Sequence, residues 1–445
     1  MIDSSVSTIF REICLRIARA DLSIGGRSQG RFGHPRHLKR ARILGIPGAV
    51  CFGLLACSSN VPSQRTAGAP NDIRLAPTEA FRFEKWEPET RSPRDASVGP
   101  PLERLQKLCG RTDAALNAVA DRLARDEHFG SRPDDLDRLA FALRAAGSPY
   151  VWPRAWSLRT SEKQPELEIL LPRFEHWLES FNDGGQRRCG ISRAVGQTGT
   201  LYAAVVSDVF ADLVKPLPTR VRTGQWLQLQ VLLLADASEA KVILEGPRDE
   251  PIVVPASIEQ REVRSNIPMS GPGPWLVQVL ATMDTGPRPV LEAEVFVDEE
   301  PPKQLELRSA PGESASGQVG NATEALYGML NAARIESGRK ALAREPRLDQ
   351  LALEHASAML AAGRIGHDVG DGSPKGRLEN AGIFAALAGE NVAHAADAIR
   401  AHRALWASPS HRSNILHRGF RNVGLGVVRG PDNTVWACEL FAALD

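Results

Sequence analysis

The sequence predicts a multidomain chain in which three folded modules follow a non-globular N-terminal region. Three observations carry that expectation. Helical apolar periodicity recurs in two blocks, residues 102–213 and 321–445. A block of period two, residues 223–297, lies between them, and Pro-, Gly- and Ser-rich stretches separate the pieces. The length of 445 residues fits about three modules at roughly 150 residues each. With 54 Lys plus Arg against 53 Asp plus Glu and a pI near 7.7, the chain lacks the basic footprint of a nucleic-acid binder, and that partner class is set aside.

Near-neutrality hides an uneven distribution. Residues 1–42 hold nine Lys or Arg and three acids, whereas residues 43–56 hold no charged side chain. The basic stretch from Arg36 to Arg42 followed by the 14-residue apolar run Ile43 to Ala56 has the layout of an export signal, too short for an ordinary membrane-spanning helix. The run ends in Leu54-Leu55-Ala56-Cys57, which resembles the lipobox of bacterial lipoproteins. That resemblance implies cleavage before Cys57, lipidation of Cys57, and an exported protein anchored in the bacterial outer membrane or at the cell surface. A buried helix ending in cysteine is the alternative. Residues 1–56 then comprise an upstream extension plus a signal peptide, and the length of the extension places the true start codon downstream of Met1. The product from Cys57 has 389 residues and a side-chain charge of −5.

Residues 57–101 hold seven prolines among Ser, Arg and Glu and read as an extended tether. Beyond it, 102–213 is a helical module flanked by Cys109 and Cys189, a candidate disulfide in an oxidising compartment, two buried free thiols being the alternative. In 223–297, Leu227, Leu229, Val231 and Leu233 alternate with their neighbours, as do Leu291, Ala293, Val295 and Val297. Turn signals at Gly246-Pro247, 270–274 and 286–289 separate short runs, which argues for a β-sandwich of immunoglobulin-like type. Residues 298–320 form a linker.

The last module starts with Asn321-Ala-Thr-Glu324, a capping-box pattern, and a second helix over Leu348 to Ala362 stops at Gly363. Gly366-His367-Asp368, Arg377 before Ala381-Gly382, Gly389-Glu390-Asn391 and Ser408-Pro-Ser-His-Arg-Ser-Asn-Ile-Leu416 follow, then strands over Asn422 to Val428 and Thr434 to Phe441. In this order and spacing, these motifs resemble the bacterial branch of the CAP superfamily, the SCP or cysteine-rich secretory protein family. The resemblance implies an α-β-α sandwich over 321–445 and a cleft lined by His367, Glu390 and His411. Asn391, Ser408, Arg412 and Asn414 support the motif.

Physically, Ser408 suits an N-cap and Pro409 the first helical position, which puts His411 in the first turn, where the helix dipole disfavours the imidazolium. A neutral His411 can bind a metal or accept a proton, and Glu390 can orient a histidine or polarise water. Glu390 and His411 are thus the candidate catalytic pair, and His367, His411 and Glu390 the candidate ligands of a divalent cation such as zinc. Glu390 and Asn391 acting only as structural hydrogen-bonding groups is the competing reading. Animal members often supply a second Glu before the last His; here Leu405-Trp406-Ala407 carries no carboxylate.

The 102–213 module shares a pattern with the last one. Leu116, Val119, Ala120 and Ala124 match Leu348, Leu351, Ala352 and Ala356 at offset 232; Leu143 to Gly147 matches Leu378 to Gly382 at 235; Gly190, Gly196, Thr200 and Ala203 match Gly424, Gly430, Thr434 and Ala437 at 234. This suggests a degenerate CAP-like α+β domain, an unrelated helical domain being the alternative. Glu390 would become Ala155, His367 Arg132 and His411 His176 or Trp177, with Trp152, Trp156 and Trp177 forming an apolar surface. The function expected is an envelope binding module for a lipid, cell-wall or protein ligand, with a metal-assisted hydrolase or a purely structural protein as alternatives.

Overall fold

The computed structural model describes residues 100–125, 136–160, 167–181, 184–196, 199–247, 250–306, 309–318 and 321–444, all within one compact unit of the chain. The signal run, Cys57, nearly all of the tether and Arg132 lie outside the described residues. No helix among the described residues is long and apolar enough to cross a membrane.

The N-terminal domain runs α1 (Pro100–Cys109), β1 (Arg111–Thr112), α2 (Ala114–Arg125), α3 (Leu136–Ala145), β2 (Arg154–Thr160), α4 (Leu167–Glu179), β3 (Gln186–Gly196) and β4 (Gly199–Val209). Its sheet has the order β1-β3-β4-β2, with β1 parallel to β3 and the other pairs antiparallel. Strand β4 is buried on both faces. Ala203 and Val205 pack with α2 and α3, while Tyr202, Ala204 and Val206 pack with α1 and α4. The central strand can therefore be almost continuously apolar. Cys109, closing α1, is disulfide-bonded to Cys189 of β3, with 5.9 Å between their Cα atoms. Trp156 and Trp177 do not form an outer surface. Both pack on Phe174, Trp156 tilted and Trp177 stacked, and Trp177 meets Phe181 edge-on, against the α1/α4 core, because helix α4 covers the sheet face on which Trp156 lies; Trp152 is the exposed one.

The central domain comprises β5 (Ala211–Leu213), β6 (Arg220–Val221), β7 (Trp226–Leu233), β8 (Glu239–Glu245), β9 (Ile252–Val254), β10 (Ala256–Glu259), β11 (Glu262–Pro268), β12 (Gly273–Met283) and β13 (Gly286–Val297). Its two sheets, β10-β11-β7-β5 and β6-β13-β12-β8-β9, share one hydrophobic core. Leu227, Leu229, Val231 and Leu233 point into it, as their alternation requires. Strand β5 belongs to this sheet pair although it precedes Thr223; three residues are too few to show a period.

After a 3₁₀ turn (Glu313–Gln318), the C-terminal domain runs α5 (Ala322–Glu336), β14 (Ala343–Arg344), α6 (Pro346–Ala362), α7 (Pro374–Asn380), β15 (Leu387–Ala395), α8 (Ala398–Ala407), α9 (Pro409–Leu416), β16 (Asn422–Arg429) and β17 (Val435–Ala443). Asn321 caps α5 through the Glu324 N–H, and Gly363, in the left-handed region, ends α6. One core lies between the sheet and α5, α8 and α9, another between the sheet and α6. The result is an α-β-α layering.

The sheet order β14-β16-β17-β15, with β14 parallel to β16 and the rest antiparallel, repeats that of the N-terminal domain. Individual bonds repeat too. Asn117 Oδ1 accepts the Ile191 N–H at 2.9 Å, and Asp349 Oδ1 accepts the Leu425 N–H at 2.8 Å. Gly147 and Gly382 each donate to the carbonyl three residues back, Arg144 and Glu379. At Gly190 a Cβ would lie 2.0 Å from the Leu116 carbonyl carbon, and at Gly424 2.1 Å from that of Leu348, so both helices rest directly on a strand backbone. One sequence match shifts. Val195 pairs with Thr200 but Arg429 with Val435, so the second hairpin is one residue longer, and Ala203 corresponds to Cys438 rather than Ala437.

Candidate functional site

Glu390 enters from β15 and is buried beneath the loop that follows α6. Its Oε1 is 2.9 Å from Nδ1 of His367, and its Oε2 accepts from the Arg377 guanidinium and from the Cys438 thiol at 3.4 Å. Arg377 also donates to the carbonyls of His367 and Gly372, which ties the loop to α7. His355, fully buried on α6, places Nδ1 2.7 Å from Asp371 and Nε2 3.0 Å from the Gly366 carbonyl. Burial opposes the Glu390 carboxylate, yet the His367 hydrogen bond and the charges of His367, Arg377 and His355 outweigh it and hold its pKa below the ordinary value. Burial, then the Glu390 charge, pushes the Cys438 thiol well up. Both Glu390 oxygens are thus engaged, and a cation bound there would have to take one from its present partners. Among the described residues no three His, Cys, Asp or Glu side chains are grouped as a metal cage.

A second network lies on the other sheet face. Asn391 donates to the His411 carbonyl at 3.2 Å and to Glu439 at 2.9 Å, and accepts from Asn414 at 3.0 Å. Asn414 also reaches the Glu390 carbonyl at 3.2 Å, so it joins β15 to α9. Glu439 is completely buried, with Oε1 lacking a hydrogen-bond partner among the described residues, and burial raises its pKa to about 7.

His411 falls in the first turn of α9 behind Pro409, but Ser408 makes no side-chain cap bond. The β12 side chain of Gln278 accepts the Ser410 N–H at 3.1 Å in its place, while Ser408 bonds Ser410 and Gln278 through its hydroxyl. Arg412 covers Trp406, with its guanidinium 4.8 Å from the ring centroid, and it ion-pairs with Glu245 of β8. Burial, aided by the charge of His367, lowers the His411 pKa to about 3, so the ring is neutral at any physiological pH. Its ring nitrogens have no hydrogen-bond partner among the described residues.

His367 and His411 open into one cavity of about 450 Å³, also lined by Val392, His394 and Trp436. The β12–β13 hairpin forms a wall: the Thr285 carbonyl accepts the N–H groups of His367 at 2.9 Å and Asp368 at 3.2 Å. Gly286 has φ +96°, and a Cβ there would approach His367 Cβ to 2.8 Å. The N-terminal domain closes another side with Trp152, Arg154 and Phe181. His355, Asp371, Cys438, Glu439 and Gln278 all take part in these networks and were not singled out from sequence. Apart from the aspartate in a Gly-rich turn, none sits in a local pattern that announces the role.

Residues 327–440 match the family model of the cysteine-rich secretory protein family, CAP. No curated protein matches the chain. Among solved structures, an outer surface protein of Borrelia burgdorferi is similar at 21% identity over 28% of this chain and 93% of that one, with a TM-score of 0.27. An extracellular SCP-domain protein of Bacillus anthracis is similar at 15% identity over 57% and 81%, with a TM-score of 0.26. A cysteine-rich secretory protein of Staphylococcus aureus follows at 14% over 48% and 75%, with a TM-score of 0.25. The motif series, the sheet carrying Glu390 and Asn391, and the family match agree: the C-terminal domain of this chain belongs to the cysteine-rich secretory protein (CAP) family.

Proposed function

We propose that the protein is an exported, lipid-anchored envelope protein that binds a ligand in the CAP-domain cavity without catalysing its hydrolysis. The observation that carries this reading is the state of Glu390. A general base needs a carboxylate oxygen within reach of water or substrate, and here Arg377, His367 and Cys438 occupy both oxygens behind a buried loop. What faces the cavity is a neutral His411 and one side of His367, groups suited to hydrogen-bonding a ligand. A second reading, a divalent cation held by His367 and His411 with water completing its shell, is favoured by the lone pair of His411 and by the shared cavity.

The central domain is read as an immunoglobulin-like spacer, and the N-terminal domain as a degenerate CAP copy. The repeated sheet order, the Asn117/Asp349 bonds and the common offsets support the copy. At those offsets His355, Arg377, Glu390 and Cys438 become Leu123, Ala142, Ala155 and Ala203, which lie together in one apolar core. Asn391 and Glu439 become Trp156 and Ala204, which pack in the opposite core. Both polar networks are thus replaced by hydrophobic packing.

Hydrogen exchange of the full chain with and without detergent-solubilised envelope extract tests the binding reading. Protection of 362–368 and 390–394 supports it; no protection, together with zinc-dependent release of peptide or glycan fragments, overturns it. Palmitate incorporation that persists in Cys57→Ala would dispose of the anchor.

A further inference from the structure

Resting on the binding reading above for its functional consequence, we infer that the β12–β13 hairpin of the sandwich is the positioning element of the CAP cavity, Gln278 setting His411 and the hairpin tip setting His367. Both histidines that open into the cavity are held by this one element of another domain. At its tip the Thr285 carbonyl accepts the His367 N–H at 2.9 Å. Within β12, Gln278 Oε1 accepts the N–H of Ser410, the residue before His411, at 3.1 Å. The CAP domain's own hold lies on the other side of His411, where Asn391 donates to its carbonyl at 3.2 Å. The backbone at His411 is therefore clamped between two domains.

The hairpin suits this role through its two faces. Val277, Val279, Leu291, Ala293 and Val295 pack in the sandwich core, so Gln278 and Glu292, which alternate with them, face away from it. Gln278 has no exposed surface there, and a buried amide is costly unless its polar atoms are engaged. Its Nε2 donates to Oε1 of Glu292, its cross-strand partner, at 2.7 Å and to the Ser408 hydroxyl at 3.3 Å. Glu292 Oε2 accepts from Arg144 of α3 at 2.9 Å, and the Glu292 N–H donates to the Pro149 carbonyl at 2.9 Å. An unbroken chain of bonds thus runs from the N-terminal domain through the hairpin to the first turn of α9. Glu245 of β8 fastens the same turn a second time through Arg412. None of Arg144, Glu292 and Gln278 lines the cavity, so they act on it only through the residues they hold.

Selective ¹⁵N-histidine labelling of the full chain gives ring NMR signals that His367→Gln and His411→Gln assign. Gln278→Leu should shift the His411 ring signals and speed exchange of the Ser410 amide by ~10-fold, as for one lost hydrogen bond. Gly286→Ala, whose methyl group would come within 2.8 Å of His367 Cβ, should shift His367 and leave His411 in place. The swap Gln278→Glu/Glu292→Gln keeps an acceptor for Ser410 and an amide–carboxylate pair across the strands, and should return His411 to its wild-type signals. Labelling of the buried Cys438 thiol follows the CAP domain as a whole and should stay at the wild-type rate in all three variants. Unchanged His411 signals in Gln278→Leu, or a swap that folds without restoring them, overturns the inference. So does Cys438 labelling that rises in step with Ser410 exchange, which would mark general loosening. If Gln278→Leu does not fold, Arg144→Met at the far end of the chain of bonds decides: it should still shift His411, and wild-type signals there would sink the relay. Protection by envelope extract reads ligand binding rather than the hairpin, so the broader binding reading stands or falls separately.

Discussion

Arg377 and Glu390 form an ion pair in which the side chains are only 5% and 1% exposed. Charges so deeply placed are tolerated because each is held by several partners: Glu390 also meets His367 and Cys438, and Arg377 also meets backbone carbonyls.

Removing one partner should therefore be far worse than removing both. Arg377→Met leaves a buried carboxylate without its cation and is expected to destabilise the C-terminal domain by ~3–5 kcal/mol. The double variant Arg377→Met/Glu390→Gln should recover much of that loss. Cys438 is a fully buried free thiol, so its labelling rate in urea, followed by peptide mass spectrometry, reports opening of this domain. Equal labelling in the two variants would contradict the expected coupling.

Glu439 should make stability depend on pH. Burial raises its pKa from 4.5 to about 7. Between those values the folded chain keeps a proton that the unfolded chain has lost, so stability falls as pH rises through the window and levels off above it. Glu439→Gln removes the titration while keeping an acceptor for Asn391. The variant should match wild type near pH 4 and be more stable near pH 8, by roughly 3 kcal/mol at most. Glu245, also raised to about 7, titrates in both proteins and drops out of the difference. A difference independent of pH would remove Glu439 from the account.

The paired glycines give a symmetric test. A methyl group at Gly190 or Gly424 would lie within 2.0 or 2.1 Å of a helix backbone, so α2 or α6 must lift from its sheet. Each Gly→Ala change is expected to cost ~3 kcal/mol or more and to loosen its own domain. Hydrogen exchange of the two helices would show which domain responds; a mild effect at either site would mean that the helix does not rest on the strand there.

The Cys109–Cys189 bridge spans 80 residues. A Cys109→Ala/Cys189→Ala variant should lose ~2–5 kcal/mol from the N-terminal domain, since the bridge limits the freedom of its unfolded chain. Non-reducing peptide mapping checks the bond, and thermal melting with and without reductant checks its effect. Reductant should not shift the melting of the variant.

Much of the C-terminal domain was legible because local rules speak clearly there. Asn321 and Gly363 sit where helix ends require them, whereas the strand that carries Gly389-Glu390-Asn391 was not announced by a local pattern. Sandwich strands were legible wherever one face is buried, as at Leu227 to Leu233, but the three-residue β5 was not. His411 is neutral through burial and the charge of His367, not through the helix start on which the sequence argument relied. The pattern shared by the first and last domains was visible as three offsets, while the one-residue slip in β4 appeared only from its pairing with β3.

The sequence by itself determined the Asn321 and Gly363 helix ends and the family of the last domain, because each depends on residues near one another along the chain. Tertiary structure decided what those residues can do. It set Arg377 and Cys438 on Glu390, replaced the expected Ser408 cap with Gln278 from another domain, and enclosed His411 beneath a hairpin and a second α-β-α domain. Burial and the charges that accompany it are properties of the packed chain; they turned a motif glutamate into a closed ion pair beside the cavity that His367 and His411 line.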